Sequence, residues 1–326
     1  MDAYLLAVDW GGTRIKLGAV SLNGRLIASD IFETPVTDPV EQTFQTLLER
    51  LHVLDKQQTG LELLGIGIAL TGPTDPNRGT ALLPGKIKGM EGFPIVPRLR
   101  EEFSTKAWAE NDGVAAMYAE KHIGLAREKK WAVVLTIGTG VGSGVMLDRN
   151  ILKDPHFMFG TQAGHLVIDL SNDQLCLTGA RGTGETLCSS TALALAVRSG
   201  LQRGIPSVLS DLYWQNPHAI DFRAVMERGV ATGDRLCLDE LRRWTTRVGW
   251  LLVNVVHAYS PEIIILAGGA TAAHQHFLQP LQDHLNRHIF RYPPGEPVPI
   301  RISELGDNMG VIGAAMMVKE RLECFA

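Results

Sequence analysis

The chain reads as a two-domain α/β protein with a ligand cleft expected between its halves. Three observations carry that reading. The stretch LAVDWGGTRIKLGAV at 6–20 is an apolar β-like run that reaches a glycine turn and resumes as another apolar run. A second stretch of the same kind, TIGTGVGSGVML, lies at 136–147. The strand and helix pattern restarts at that second hairpin, and 326 residues suit two domains of ordinary size. Sites between domains are where ligands are commonly enclosed.

The elements follow from periodicity and punctuation. Residues 4–9, 14–20 and 25–33 read as strand, hairpin and strand, and 39–56 as a helix. LLGIGIAL at 63–70 is a buried strand, followed by a Gly- and Pro-rich loop over 71–94. Pro94 or Pro97 suits the first turn of the next helix. KAWAEN is a short strand leading into a helix over 113–127. The order β, β, β, α, β, α, β indicates an α/β domain around a mixed sheet. The hairpin 131–147 opens the second half, with helices at 185–199, 219–230 and 232–257. The strand EIIILAGG at 262–269 precedes helices near 275–288 and 309–323. The domains are expected at 1–115 and 116–305, with the helix 309–323 returning to the first.

Composition excludes several classes. Hydrophobic content of 45% supports real cores, and 20% charged residues exclude a disordered chain. A net charge of −4 argues against a nucleic-acid surface. Cys176, Cys188, Cys237 and Cys324 show no short-range framework and read as reduced thiols. The opening MDAYLLAVDW has no basic leader, and the apolar stretch 249–273 is interrupted by His257, Pro261 and Glu262. A soluble cytoplasmic protein without nucleic-acid or membrane partners is expected.

The glycine turns carry the first functional signal. Gly11 and Gly12, then Gly138, Gly140 and Gly142, permit positive φ and leave no Cβ in the way. Backbone N–H groups at such tips converge on anions, and Thr13 and Thr139 add hydroxyl donors. Asp9 ends the first strand just before the glycines, where a turn residue satisfying local N–H groups would also sit. Lys16 faces either phosphate or solvent. Asp112 lies where a short strand gives way to a helix, and spacing alone favours a helix cap there.

Further motifs, in order along nearly the whole chain, change that balance. DWGGTRIKLGAV resembles the first phosphate motif of the ROK family (repressors, open reading frames and sugar kinases). AENDGVAAMYAE at 109–120 resembles its Asn-Asp catalytic segment, and TIGTGVGSGV its second phosphate motif. GTQAGH at 160–165 is similar to its Glu-x-Gly-His element, PEIIILAGGAT at 261–271 to its adenosine motif, and LGDNMGVIGAA at 305–315 to its closing helix. The resemblance implies an actin-like/hexokinase-like, ribonuclease-H-like ATPase fold and an ATP-dependent sugar kinase. It makes Asp112 the general base, orienting the acceptor hydroxyl as it loses its proton. Asn111, Gln162, His165 and Glu185 become sugar-binding candidates beside Asp112. Asp9, Gly11, Gly12, Thr13, Lys16, Gly138, Thr139, Gly140, Gly268 and Gly269 become the candidates for Mg²⁺-ATP, with Asp9 reaching magnesium through water. The acceptor implied is O6 of glucose or an N-acetylhexosamine, and a homodimer is expected. A polyphosphate donor, or a non-catalytic sugar-binding regulator, is the alternative. The family's repressors carry an N-terminal helix-turn-helix, for which the first ten residues leave no room.

The sugar side departs from the family pattern. Gln162 replaces a glutamate, exchanging a charged acceptor for an amide. Pro84 is followed by Gly85 and Lys86 where the family usually has Asn. CLTGARGTGE at 176–185 registers on the family's zinc segment, with Cys176 and Glu185 retained but Thr178 and Thr183 at the other two cysteine positions. The resemblance implies a tetrahedral zinc held by three thiolates and the histidine matching His165, of which only Cys176 and His165 remain, so no zinc is expected. His165 then hydrogen-bonds a sugar or serves structure, and Glu185 also suits a helix's first turn. Elemental analysis of the purified protein is predicted to give far less than one zinc per chain, with a melting temperature indifferent to chelators. About one zinc per chain would overturn the reading.

Overall fold

The computed structural model describes residues 3–35, 37–82, 87–153, 160–290 and 295–324. Its first half runs β1 (Ala3–Trp10), β2 (Arg14–Ser21), β3 (Leu26–Glu33), α1 (Val40–Lys56), β4 (Glu62–Leu70), β5 (Thr74–Asp75), β6 (Thr80–Ala81), α2 (Ile95–Phe103), β7 (Ala107–Asn111) and α3 (Asp112–His122). Next come β8 (Ala132–Ile137), β9 (Val141–Leu147), β10 (Asn150–Ile151), α4 (Gly184–Cys188), α5 (Ser190–Gln202), α6 (Ser210–Gln215) and α7 (Phe222–Ala224). The chain ends with α8 (Arg235–Tyr259), β11 (Ile263–Ala267), α9 (Leu278–His288), β12 (Ile300–Ile302) and α10 (Met309–Cys324). No described helix is long and apolar enough to cross a membrane.

Contacts divide the chain into two units. The first holds Met1–Lys130, Gly144–Thr161 and Ser303–Ala326, and the second Trp131–Ser143 and Gln162–Ile302. Where the sequence suggests a boundary near 115, α3 stays whole with the first unit because it packs along α10.

The first unit is built on the sheet β3-β2-β1-β4-β7, in which β1 runs antiparallel to β2 and parallel to β4. Apolar residues at Val40, Phe44, Leu47, Leu48, Leu51 and Leu54 put one face of α1 into the core beneath it. α10 is different: Val311 through Val318 are all buried, because strands β1 and β4 and helix α3 surround it. That crowding requires backbone to touch backbone. A Cβ on Gly67 would stand 2.0 Å from the Ala314 carbonyl, and one on Gly313 would stand 1.9 Å from that of Ala115. Glu110, 2% exposed, accepts from Arg321 of α10 at 2.6 Å and from Lys153, so its buried charge is paired twice.

The second sheet has the order β10-β9-β8-β11-β12, with β11 parallel to both β8 and β12. In the second unit α8 carries Trp244, whose indole N–H donates to the carbonyls of Cys188 and Ser189, each at 3.0 Å. Those bonds explain why the expected helix 185–199 is two helices. The chain is extended at Ser189, and the Ser189 side chain caps α5 by accepting from Ala192 N–H.

Other expectations are corrected in detail. The loop 71–94 contains the hairpin β5–β6. The helix expected to 127 stops at His122, and the Glu120 carboxylate turns back to accept from Leu125 N–H at 2.7 Å. The span 219–230 is broken into α7, a π-helical turn (Val225–Gly229) and a 3₁₀ turn.

Gly313→Ala is predicted to cost about 3 kcal/mol of unfolding free energy or more, by forcing α10 off α3. Gly138→Ala is the control: nothing lies within 4 Å of its added Cβ and its φ is not left-handed. Urea unfolding at one pH checks both, and equal midpoints would contradict the packing account.

Candidate functional site

Each unit carries one set of candidate groups, built on the ends of strands. In the first unit Asp9 stands at the C-terminal end of β1, directly opposite Lys16 in the antiparallel register. Lys16 Nζ donates to the Asp307 carbonyl at 2.7 Å, at the start of the turn into α10. A Cβ on Gly310 would stand 2.4 Å from Asp9 Cγ, so the first turn of α10 closes on the carboxylate and only glycine fits there. Burial raises the Asp9 pKa; Lys16 opposes that shift and Asp307 adds to it. A carboxylate held in this way is one that an added cation would stabilise, which suits magnesium bound with a nucleotide.

Asp112 opens α3, but the cap of that helix is its neighbour. Asn111 Oδ1 accepts from Gly113 N–H at 2.9 Å, and its Nδ2 donates to the Gly72 carbonyl at 2.8 Å. Asn111 is 5% exposed, so this amide fixes the segment that carries Asp112 while retaining one N–H and one lone pair. Asp112 Oδ1 also accepts from Gly113 N–H, at 2.8 Å. Burial pushes the Asp112 pKa up to about 7, and the nearby Asp9 charge adds to the rise, against the bonds from Gly113 and Asn111. A carboxyl poised near neutrality is suited to take a proton.

The first glycine turn is held by Thr34. Gly11 N–H donates to the Arg14 carbonyl at 3.1 Å, while Thr34 donates from Oγ1 to Gly11 O at 2.7 Å and from its N–H to Thr13 O at 2.9 Å. Gly11, Gly138 and Gly140 do not adopt the left-handed φ that their turns suggest. Gly11 is needed for clearance instead, since a Cβ there would stand 2.8 Å from the backbone Arg14 O, whereas one on Gly140 would stand 2.5 Å from Glu185 Oε2 and displace that side chain.

The second unit gathers Gly140, Glu185 and the 162–165 segment around the start of β9. Glu185 Oε2 accepts from Val141 N–H at 3.5 Å, and a Cβ on Gly164 would stand 2.2 Å from the Val141 carbonyl. Gln162 precedes a 3₁₀ turn (Ala163–His165), which Ser143 Oγ anchors by accepting from Ala163 N–H at 2.9 Å. Gly268 has φ +88° and would place a Cβ 2.6 Å from Ile137 O, so it brings the end of β11 against the loop at 138. Gly269 is open and starts the following 3₁₀ helix. Pro84, Gly85 and Lys86 lie outside the described residues.

The zinc segment is rebuilt from hydrogen bonds. Cys176 Sγ lies 2.9 Å from Thr178 Oγ1, and Thr183 is fully buried with its hydroxyl 3.3 Å from that of Thr186. Burial raises the Cys176 thiol, but bonds from Thr178, His165 and Ala180 outweigh it and leave a pKa of about 7. Among the described residues the His165 Nδ1 is buried without a hydrogen-bond partner. One thiolate and one imidazole do not make a tetrahedral site, and no described group of three or more His, Cys, Asp or Glu is arranged for a metal.

Thr34, Ser190 and Thr191 lie outside the motifs, while Asp307 and Gly310 lie within LGDNMGVIGAA without a role of their own legible there. Only the run of hydroxyl residues at 189–191, before a helix, offered a signal.

The ROK family model matches residues 5–321. Glucokinase of Thermotoga maritima is 28% identical over 98% of each chain. A ROK family glucokinase from Streptomyces griseus, solved with glucose and AMPPNP, superposes with a TM-score of 0.82 at 22% identity, covering 98% of this chain and all of that one. The xylose repressor of Caldicellulosiruptor bescii is 24% identical over 96% of this chain and 77% of its own length. The chain therefore shares the fold of that ROK family glucokinase.

The raised Asp112 pKa has a stability consequence with a definite sign. The native state keeps a proton that the unfolded chain releases above about pH 4. That contribution is complete below pH 4, declines as pH rises and is gone above about 7. Asp112→Asn removes the dependence. Its stability relative to the native chain is predicted to rise by on the order of 2–4 kcal/mol between pH 4 and pH 8, measured by urea unfolding. A difference constant with pH would show that Asp112 ionises freely.

Proposed function

The chain belongs to the ROK family, and from that premise we propose that it is a sugar kinase. It transfers the γ-phosphoryl group of Mg²⁺-ATP to a hexose hydroxyl, O6 of glucose or of an N-acetylhexosamine, with Asp112 as general base. The observation that carries this reading is the environment of Asp112, whose pKa of about 7 arises from burial and the Asp9 charge. The glucokinase relative supports the reaction class, and the AMPPNP-bound neighbour supports the donor.

Phosphoryl transfer asks the protein mainly for position and charge. Asp112 accepts the acceptor hydroxyl's proton as the new P–O bond forms, and Asn111 holds it at the helix start. Asp9 would hold the magnesium through water, and the ion would supply charge neutralisation at the phosphates. Lys16, tied to the Asp307 carbonyl, keeps the turn into α10 beside them. The glycine turns at 11–13 and 138–140 offer backbone amides to the phosphates. Gly269 leaves open backbone for the adenosine while Gly268 holds the end of β11 against Ile137, and Gln162 with Glu185 meets the sugar.

Gln162 favours a second reading, a weakly active or regulatory sugar binder. Its neutral amide makes weaker hydrogen bonds than the glutamate of the family pattern. A coupled ADP-release assay across hexoses and N-acetylhexosamines separates the two. Turnover with one of them is expected, with kcat/KM rising to a plateau as pH passes through about 7. Asp112→Asn should lower that turnover about 10²–10⁴-fold with nucleotide affinity nearly intact. A variant keeping more than half the native rate would remove Asp112 from the mechanism.

A further inference from the structure

The two glycine turns share a feature that no residue of the kinase motifs supplies. In each, hydroxyl-bearing residues from a neighbouring segment capture the carbonyls of the turn. Thr34, just after β3 and only 7% exposed, takes the carbonyls of Gly11 and Thr13. In the second unit, Ser190 takes the Gly138 carbonyl with both its N–H, at 2.9 Å, and its hydroxyl. Thr191 Oγ1 takes the Thr139 carbonyl at 3.0 Å.

Peptide planarity turns these contacts into a statement about the opposite side. In a trans peptide the C=O of one residue and the N–H of the next point in opposite directions. Fixing the carbonyls of Gly11 and Thr13 directs the N–H groups of Gly12 and Arg14 away from Thr34. Fixing those of Gly138 and Thr139 directs the N–H groups of Thr139 and Gly140 away from α5. A glycine turn without such contacts would sample many orientations, and its amides would have to be ordered by the ligand at an entropic cost.

We propose that Thr34, Ser190 and Thr191 are positioning residues, each acting within its own unit, that aim the amides of that unit's glycine turn at nucleotide phosphate. None of the three touches nucleotide in this account; each acts through a backbone carbonyl. The inference rests on the kinase reading for the identity of the ligand, but its geometry is independent of which sugar is phosphorylated. Ser189, not Ser190 or Thr191, caps α5, so removing the two hydroxyls leaves that helix with its N-terminal bond. The Ser190 N–H bond to Gly138 also survives.

The test compares Thr34→Val and the double variant Ser190→Ala/Thr191→Val with the native protein. Binding of Mg²⁺-AMPPNP and of adenosine is measured by calorimetry, and melting temperature is recorded alongside. Each variant is expected to weaken Mg²⁺-AMPPNP about 10-fold, as the loss of one or two preorganising hydrogen bonds suggests, while adenosine affinity and melting temperature hold. Thr191→Ser and Thr34→Ser, which keep the hydroxyl, should bind Mg²⁺-AMPPNP like the native chain. Unchanged Mg²⁺-AMPPNP affinity in both variants would overturn the proposal. So would a parallel loss of adenosine binding and melting temperature, which would mark the hydroxyls as fold residues only. A native protein that binds neither ligand would instead bring down the kinase reading, and the positioning role with it.

Discussion

The first unit depends on a backbone contact: α10 lies against β4 at Gly67 and against α3 at Gly313, with no side chain between. Dispersion at such short range is favourable only if nothing protrudes, so two glycines decide where the helix lies. Once α10 is seated, three other things follow. Gly310 closes on Asp9, the Asp307 carbonyl reaches Lys16, and Arg321 pairs with the buried Glu110. Glu110 is two residues before Asp112, so the same helix that sets the environment of one carboxylate anchors the strand leading to the other.

This arrangement has an electrostatic cost that the fold does not remove. The Asp9 charge raises the affinity of Asp112 for its proton, and burial disfavours the charge of both. Proteins commonly keep such destabilised groups only where chemistry uses them. Glu110, 2% exposed, shows the contrast: its carboxylate is met by ion pairs from Arg321 and Lys153. The strained carboxylates and the satisfied one lie in the same unit, which is why burial alone does not single out a functional acid.

Much of the fold was legible because its signals are local. Apolar runs broken by glycine mark both hairpins, and the ordered motifs carry the family resemblance. What escaped was long-range. The break at Ser189 is made by Trp244 from another helix, and nothing near 189 announces it. β12 is three residues long beside a proline-rich stretch, and its pairing with β11 supplies what its sequence lacks. At the candidate site, residue types were readable but their division of labour was not. Asn111 rather than Asp112 caps α3, and Gly11 provides clearance rather than left-handed backbone. Such distinctions depend on which atom lies opposite, and only the packed chain determines that.

The first unit is also discontinuous: its sheet begins at Ala3, and the helix that covers it ends at Cys324. A ribosome makes β1 well before α10. Until the C-terminal residues emerge, β1 and β4 hold an apolar face that α10 will cover but has not yet reached. The second unit, whose segments are all complete by Ile302, has no such wait. Domains fold as units when their parts are available, and an uncovered apolar face in the interval is open to aggregation. The chain is therefore built so that its C-terminal unit can mature before its N-terminal one. Truncation by a few turns at the C-terminus would be felt first at the other end of the sequence, around Asp9.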